Sequence, residues 1–342
     1  MASIMNVIRM KAGELRLATP SSRLFLGLVP WYGLLIVLGA ALAVFLSDRE
    51  AKRLLLPKDC ILDLALWILP FGIIGARIYY VIFTWPTFRT NPVSVLYLWE
   101  GGLAIYGGLI AGAAVLVLFC RKRKLSVLQM LDIIVPGVAL AQAIGRWGNY
   151  FNQEAFGLPL RDNSPLAFFP LAVLIRNESG SSWHMATFFY ESSWDFLIFL
   201  FLLWARRRWF RKRGDVFLFY LMLYSAGRLV IENLRMDSLY LGSSVRISQL
   251  LSILILFSVL ALFWFRKKKE KGCWPRFIII CLSLGLTVFA LLLSLTSFYP
   301  GWNTPLVQAR YLAVYSLIMI LFAVFLYGRS DRSEVCYAHH QA

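Results

Sequence analysis

Residues 24–46 read LFLGLVPWYGLLIVLGAALAVFL, and SDREAKR follows at 47–53. The first stretch has 23 residues and no charge. One helix of that length can cross the roughly 30 Å hydrocarbon core of a bilayer. The stretch exceeds the apolar region of a signal peptide, about 7–15 residues, and it lacks a convincing small-residue cleavage site. The sequence therefore predicts a membrane-spanning helix that ends in a basic loop.

Composition extends this prediction to the whole chain. Of the 342 residues, 59% are hydrophobic and 15% are charged, with a mean hydropathy of +0.67. A soluble protein of this size needs a more polar surface. The net charge of +17 would suit nucleic acid, but the basic residues occur in short runs between apolar stretches. We expect an all-α polytopic integral membrane protein with no nucleic-acid partner.

Nine apolar stretches are long enough, or nearly so, to span a bilayer. They are 24–46, 61–83, 101–120, 131–150, 187–205, 216–232, 247–265, 277–298 and 311–328. The connections after the odd-numbered spans hold 22 of the 35 Lys and Arg residues, and those after the even-numbered spans hold 6. Because basic loops stay in the cytoplasm, this bias predicts an outside N-terminus and a cytoplasmic C-terminus. The polar segment 151–186 is long enough to form a folded outer arm.

Three arginines lie within predicted spans: Arg77, Arg146 and Arg228. A charge at this depth is costly, so each residue is a candidate for function. Arg146 and Arg228 each belong to a stripe of polar residues along one face of a helix. At 100° per residue, each stripe covers an arc of about 60–80° around the helix axis. The stripes are Gln142, Arg146, Asn149 and Gln153 on span 4, and Tyr224, Arg228, Glu232 and Arg235 on span 6.

These stripes allow two interpretations. Arg228 and Glu232, at i and i+4, could form a structural ion pair, and the amides could join helices. The excess of arginine over acid near the outer helix ends favours an anion site instead. Guanidinium groups keep their charge and bind phosphate in a bidentate manner, which suits a phospholipid headgroup. The histidines lie outside any ligand cluster, so we expect neither a metal nor a cofactor.

Residues 143–157, AIGRWGNYFNQEAFG, resemble the signature of the prolipoprotein diacylglyceryl transferase family. Further stretches match it in order: Trp31-Tyr32-Gly33, Gly75–Val81, Trp99–Gly108, His184 with Tyr190-Glu191, Gly227–Glu232 with Arg235 and Asp237, Leu241-Gly242, and Arg246 with Ser248-Gln249. The resemblance covers about 24–265 and implies a seven-span catalytic core. The expected organisation is a tail at 1–23, this core at 24–270, and an extension at 271–342 with two further spans.

The resemblance implies a reaction in the bacterial cytoplasmic membrane, with the active site toward the outer leaflet. The family moves the sn-1,2-diacylglyceryl group of phosphatidylglycerol onto the lipobox cysteine of a prolipoprotein. A thioether forms and glycerol phosphate leaves. Both substrates, the lipid and the signal-peptide segment that carries the cysteine, are thus expected partners of this membrane-embedded chain.

Site residues follow from the same resemblance. Arg146 and Arg228 would hold the departing phosphate as catalytic residues. The phosphatidylglycerol pocket would comprise Arg146, Asn149, Asn152, Gly157, Tyr32, Arg77 and Arg235. Many relatives carry a histidine base where this chain has Tyr106. Because an unperturbed tyrosine is a poor base at neutral pH, Tyr106, Glu154, Glu232 and the substrate phosphate all stay open for that role.

Glycines beside Tyr106 also leave two alternatives open. Gly101, Gly102, Gly107 and Gly108 would permit either close helix packing or backbone access to a ligand. For the whole protein, the rival classes are an anionic-lipid transporter or flippase and an inactive scaffold of the same shape. Transporters usually show inverted repeats, and the Gly-Arg-Trp-Gly-Asn segment occurs once.

Overall fold

The part of the chain that the structure describes contains nine long helices, one at each predicted span. The computed structural model describes residues 8–11, 14–17, 23–24, 29–98, 101–161, 164–177, 180–210, 212–237, 240–241, 245–267, 274–295 and 305–328. Within these ranges the long helices are α1 (Trp31–Arg53), α2 (Cys60–Phe83), α3 (Ile105–Lys122), α4 (Val127–Asn152), α5 (Thr187–Arg208), α6 (Asp215–Ile231), α7 (Ile247–Lys267), α8 (Trp274–Leu295) and α9 (Pro305–Gly328). Short helices occur at Trp85–Phe88, Pro92–Leu96 and Glu232–Leu234.

Among the residues that the structure describes, seven of these helices are long and apolar enough to cross a membrane: α1 to α5, α7 and α9. Helix α6 has 17 residues. In α8, the described apolar stretch is Ile278–Ala290. Many apolar side chains on the long helices face outward, as at Val37 and Leu66, which are 66% and 72% exposed. Such surfaces are stable only against lipid or protein. The prediction of an all-α polytopic membrane protein is confirmed.

Two helices begin later than the sequence predicts. Helix α1 starts at Trp31 rather than at residue 24, directly after Pro30. Helix α3 starts at Ile105 rather than at residue 101, because Gly101 and Gly102 adopt φ values of +85° and +71°. Those left-handed conformations are accessible to glycine and incompatible with a right-handed helix. The apolar pattern alone could not distinguish these segments from helix.

The described strands form four antiparallel hairpins between or before the helices. They pair as β1 (Ile8–Lys11) with β2 (Glu14–Leu17), β3 (Arg23–Leu24) with β4 (Val29–Pro30), β5 (Ala172–Asn177) with β6 (Gly180–Met185), and β7 (Tyr240–Leu241) with β8 (Val245–Arg246). The β5–β6 hairpin belongs to the polar segment 151–186. Its inward side chains join an aromatic cluster that includes Tyr150 and Phe188.

The chain divides into two compact units. The first comprises Met1–Val37, Gln142–Phe201 and Leu218–Ala342, and the second comprises Leu38–Ala141 and Leu202–Phe217. In the second unit, α2 and α3 pack closely where Gly75 meets Gly107. A Cβ at Gly75 would lie 2.8 Å from the Gly107 carbonyl oxygen. For Gly107, therefore, the structure favours close helix packing over ligand access.

Candidate active site

A buried carboxylate, Glu191 on α5, lies at the centre of a polar cluster in the first unit. Arg146 on α4 places its Nε 2.6 Å from Glu191 Oε2, and Arg228 on α6 places its Nη1 2.5 Å from Oε1. Arg235, just beyond the short helix after α6, brings its Nη1 to 3.5 Å from the same Oε1. Three guanidinium groups from separate segments therefore converge on one acid within an apolar bundle.

Two of these arginines have a second carboxylate partner. Arg228 Nη2 lies 2.7 Å from Glu232 Oε2, so the i, i+4 ion pair that the sequence left as one of two interpretations is present. Arg235 holds Asp237 with two hydrogen bonds, from Nε at 3.0 Å and from Nη2 at 2.8 Å. Burial alone would lower the pKa of the Arg235 guanidinium. The Asp237 hydrogen bond and the neighbouring carboxylates outweigh burial, so the net pKa is raised.

The expected excess of arginine in this cluster is wrong. Glu191, Glu232 and Asp237 match the three arginines in number, and Asp195 lies one helical turn beyond Glu191. Each predicted stripe contains residues of its own segment only, whereas Glu191 reaches the arginines from a third helix, α5. Balanced charge is also what a low-dielectric site requires, because an uncompensated buried charge is very costly.

Arg146 keeps hydrogen-bonding capacity despite its ion pair. Its contact with Glu191 is made through Nε. Among the residues that the structure describes, none accepts a hydrogen bond from its two Nη groups. The side chain of Arg146 is 22% exposed and that of Arg228 is 19% exposed. Two adjacent Nη donors can bind a phosphate in bidentate geometry. The cluster therefore combines internal charge balance with Nη donors on Arg146 that make no hydrogen bond to the described residues.

A small cavity adjoins the cluster and is lined by residues of α4, α5 and α6. Its lining residues are Arg146, Glu191, Trp194, Asp195, Tyr224, Gly227, Arg228 and Ile231. Trp194 is fixed by a 2.8 Å hydrogen bond from its Nε1 to the Leu223 carbonyl oxygen. A Cβ at Gly227 would overlap the Trp194 indole, so glycine is required for this approach of α6 to α5. Asp195 is 3% exposed, and its Oδ2 has no hydrogen-bond partner among the described residues.

The C-terminal end of α4 carries the amide residues of the signature. Asn152 donates from Nδ2 to Glu154 Oε1 at 2.8 Å, and both side chains are exposed. The Glu154 N–H closes the helix end by donating to the Asn149 carbonyl oxygen at 3.1 Å. Tyr32 at the start of α1 packs across Gly148, where a Cβ would overlap the phenol ring. The signature thus forms a polar, partly exposed rim in the same unit as the arginine cluster.

Gly157 occupies a close crossing of the backbone. It forms an antiparallel bridge with Arg235, and its N–H donates to the Met185 carbonyl oxygen at 2.8 Å. A Cβ there would lie 2.8 Å from the Leu234 carbonyl oxygen. His184 Nδ1 donates to the Gly157 carbonyl oxygen at 2.9 Å, while Ser182 Oγ lies 3.0 Å from Nε2. Gly157 therefore positions the backbone of Arg235, and the ring nitrogens of His184 are both engaged.

Arg77, in the second unit, has a structural environment that differs from the expected lipid-binding one. The side chain is buried, and all five N–H donors of its guanidinium point to backbone carbonyl oxygens. The acceptors are Val95 at 2.8 Å, Gly101 at 2.7 Å, Gly102 at 3.1 Å, Ser94 at 2.7 Å and Tyr97 at 3.3 Å. Arg77 has no donor left for a phosphate. The sequence identifies Arg77 as a charged residue within a span. It does not show that the loop after α2 folds back around the guanidinium group.

Tyr106 lies in the first turn of α3, also in the second unit. Its ring centroid is 6.4 Å from that of Tyr79, and the ring is partly exposed.

Glu191 and Asp195 are absent from the site that the sequence predicts. Their spacing could have indicated both, because they lie at i and i+4 in an apolar span. Burying two acids there is as costly as burying Arg146 and Arg228.

A multi-pass helical membrane protein with an arginine–carboxylate cluster beside a small cavity belongs to the class of membrane proteins that contain a buried polar site. Comparison with known proteins makes this specific: residues 24–266 match the sequence model of the prolipoprotein diacylglyceryl transferase family. The chain belongs to that family. The match ends within α7, so α8 and α9 lie beyond it.

Several similar proteins bear the name phosphatidylglycerol–prolipoprotein diacylglyceryl transferase. One from Lactobacillus delbrueckii subsp. bulgaricus is 45% identical over 251 residues, which is 72% of this chain and 90% of the relative. One from Enterococcus faecalis is 46% identical over 248 residues, covering 72% and 89%. One from Halalkalibacterium halodurans is 41% identical over 255 residues, covering 73% and 88%.

Proposed function

We propose that this chain transfers the diacylglyceryl group of phosphatidylglycerol to the lipobox cysteine of prolipoproteins. A C–S bond forms at the glyceryl carbon, the C–O bond to phosphate breaks, and glycerol phosphate leaves. Family membership and the names of the relatives support this transferase activity. They favour this activity over the two alternatives, an anionic-lipid transporter and an inactive scaffold.

The donor groups of Arg146 carry the structural part of this proposal. The leaving phosphate gains negative charge as the C–O bond breaks, and preorganised donors in a water-poor site stabilise that charge strongly. Arg146 offers two Nη groups beside a cavity that it shares with Arg228. Glu191 holds both guanidinium groups in place, and Glu232 fixes Arg228 from the other side. We assign phosphate binding to Arg146 and Arg228.

The rim residues complete the proposed lipid site. Asn149, Asn152 and Tyr32 would contact the glycerol headgroup, since amides and a phenol suit hydroxyl and phosphate oxygens. Gly157 and Arg235 would shape the pocket through the backbone crossing that joins them. From the sequence, Tyr106, Glu154, Glu232 and the substrate phosphate are the candidates for taking the thiol proton. Arg77 is proposed as a structural residue because its donors are occupied.

We place the protein in the bacterial cytoplasmic membrane, with the rim toward the outer leaflet, the N-terminus outside and the C-terminus in the cytoplasm. The clustering of basic residues in alternate connections supports this orientation. A cysteine introduced at Ser164 should react with an impermeant maleimide in intact cells, whereas one at Ser126 should react only after permeabilisation. The reverse pattern would contradict the orientation.

The activity is testable with purified protein in vesicles. Phosphatidylglycerol labelled in its acyl chains and a lipobox peptide should yield a peptide heavier by one diacylglyceryl group. A peptide with serine in place of the cysteine is the control for thioether formation. Phosphatidylcholine vesicles test donor specificity. Absence of product from phosphatidylglycerol, with folded protein present, would contradict the proposed function.

A further inference from the structure

The proposed reaction requires a proton acceptor, because a cysteine thiol with a pKa near 8.5 is mostly protonated at neutral pH. The carboxylates nearest to Arg146 and Arg228 are poor candidates. Glu191 contacts three guanidinium groups, and Glu232 lies 2.7 Å from Arg228 Nη2. Protonating either acid would break an ion pair in a low-dielectric site, which is strongly unfavourable.

Asp195, which lines the cavity beside Glu191, differs from both of these carboxylates. Asp195 is on the same face of α5 as Glu191, one turn along the helix, and it lines the cavity together with Arg146 and Arg228. It is 3% exposed. Like Glu191 Oε2 and Glu232 Oε2, its Oδ2 receives no hydrogen bond from the described residues, but unlike those two oxygens it also has no guanidinium group of the described residues within ion-pair distance. An unpaired oxygen removed from water gains most from a proton brought by a substrate.

We infer that Asp195 is the proton acceptor for the substrate thiol, an assignment that rests on the proposed transferase function. The S–H bond breaks and its proton moves to Asp195 Oδ2. The sulfur electron pair forms the C–S bond at the glyceryl carbon, and the electron pair of the C–O bond leaves with glycerol phosphate. The proton then passes to the departing phosphate or to water, which restores the carboxylate.

The surroundings of Asp195 fit this role. Arg146 from α4 and Arg228 from α6 interact electrostatically with its carboxylate, and Glu191 is the acid on its own helix. Tyr220 and Tyr224 face it from α6. Tyr220 is already committed, since its hydroxyl donates to Gln142 Oε1 at 2.8 Å. The positive charges that hold the phosphate thus lie beside the acid that would take the proton.

The test compares Asp195→Asn with the wild-type full chain in phosphatidylglycerol vesicles. Asparagine keeps the shape of the side chain but cannot take the proton. We expect kcat at pH 7 to fall by about 100-fold or more, the usual contribution of a general base. The deficit relative to wild type should shrink toward pH 9, where the thiol ionises unaided. Phosphatidylglycerol binding should stay within about threefold, and Asp195→Glu should recover part of kcat.

Asp132→Asn is the matched control, because Asp132 accepts backbone hydrogen bonds from Gly214 and Phe217 and has a structural role. Any effect of that variant on kcat should be the same at pH 7 and pH 9. The inference is overturned if Asp195→Asn keeps kcat, loses the same factor at every pH, or loses lipid binding in parallel. It is also overturned if Glu154→Gln alone shows the pH-dependent deficit. Inactive wild-type protein would instead contradict the proposed function.

Discussion

Glu191 connects residues from α4, α6 and the segment after α6, so the arginine cluster depends on one side chain. Arg146 approaches its Oε2 and Arg228 approaches its Oε1. Arg235 lies 3.5 Å from the same Oε1. Removing one partner of a buried ion pair costs far more than removing an exposed one, because the remaining charges stay desolvated. The cluster therefore contributes to stability as well as to the proposed chemistry.

Glu191→Gln should lower the free energy of unfolding by about 3–5 kcal/mol, since three buried guanidinium groups lose their shared counter-charge. Chemical denaturation in mixed micelles measures this change. Asp237→Asn is the matched control: its side chain is 49% exposed, and we expect a cost below about 1 kcal/mol. Similar losses for the two variants would contradict the central position of Glu191.

Arg77→Lys tests a structural role against a lipid-binding one. Lysine keeps the charge but has three donors in place of five, so buried carbonyl oxygens in the loop after α2 lose their partners. We expect a loss of about 2 kcal/mol or more in unfolding free energy, with phosphatidylglycerol affinity of the folded protein unchanged. Arg89→Lys, on an exposed residue, should change neither quantity. Reduced lipid affinity at unchanged stability would return Arg77 to the lipid site.

At the scale of the elements, hydrophobic length predicted every long helix, because spanning a bilayer requires a long apolar run. It could not predict that α1 begins at Trp31 or α3 at Ile105, since local backbone geometry decides those ends. Stripes on single helices located Arg146 and Arg228. They missed Glu191 because its partners come from other helices, and this pairing is a property of the tertiary structure.

The α2–α3 crossing gives a prediction about packing. Gly107→Ala should destabilise the protein by about 2 kcal/mol or more, because the new Cβ would overlap the Gly75 carbonyl oxygen. Gly112→Ala is the matched control on the same helix. Its Cβ would meet Ile68 at 3.9 Å, so the variant should be neutral or more stable by up to about 1 kcal/mol. Thermal unfolding in detergent compares them, and equal effects would contradict the proposed packing.

At the scale of the whole molecule, the region beyond the family match is joined to the part that carries the site. In the first unit, Ser316 Oγ on α9 donates to the Ala226 carbonyl oxygen at 3.4 Å. The ring of Tyr327 lies 5.4 Å from that of Phe219 on α6. Helix α9 therefore packs against α6, the helix that presents Arg228.

Ala323→Trp should test this packing, because Ala323 on α9 is fully buried and offers no room for an indole. We expect a loss of about 1–3 kcal/mol in stability from overpacking. Leu321→Trp is the control on the same helix, since Leu321 is 56% exposed and the larger side chain would face lipid. If both variants were equally stable, α9 would not pack as described.

The central claim is that Arg146 and Arg228 bind the phosphate that leaves during diacylglyceryl transfer. Mass spectrometry of the lipobox peptide after incubation with wild type, Arg146→Ala and Arg228→Ala in phosphatidylglycerol vesicles tests it most directly. We predict that wild type adds one diacylglyceryl group through a thioether and that each variant adds none, although both reach the membrane in nearly wild-type amounts. Full modification of the peptide by both variants would contradict the claim.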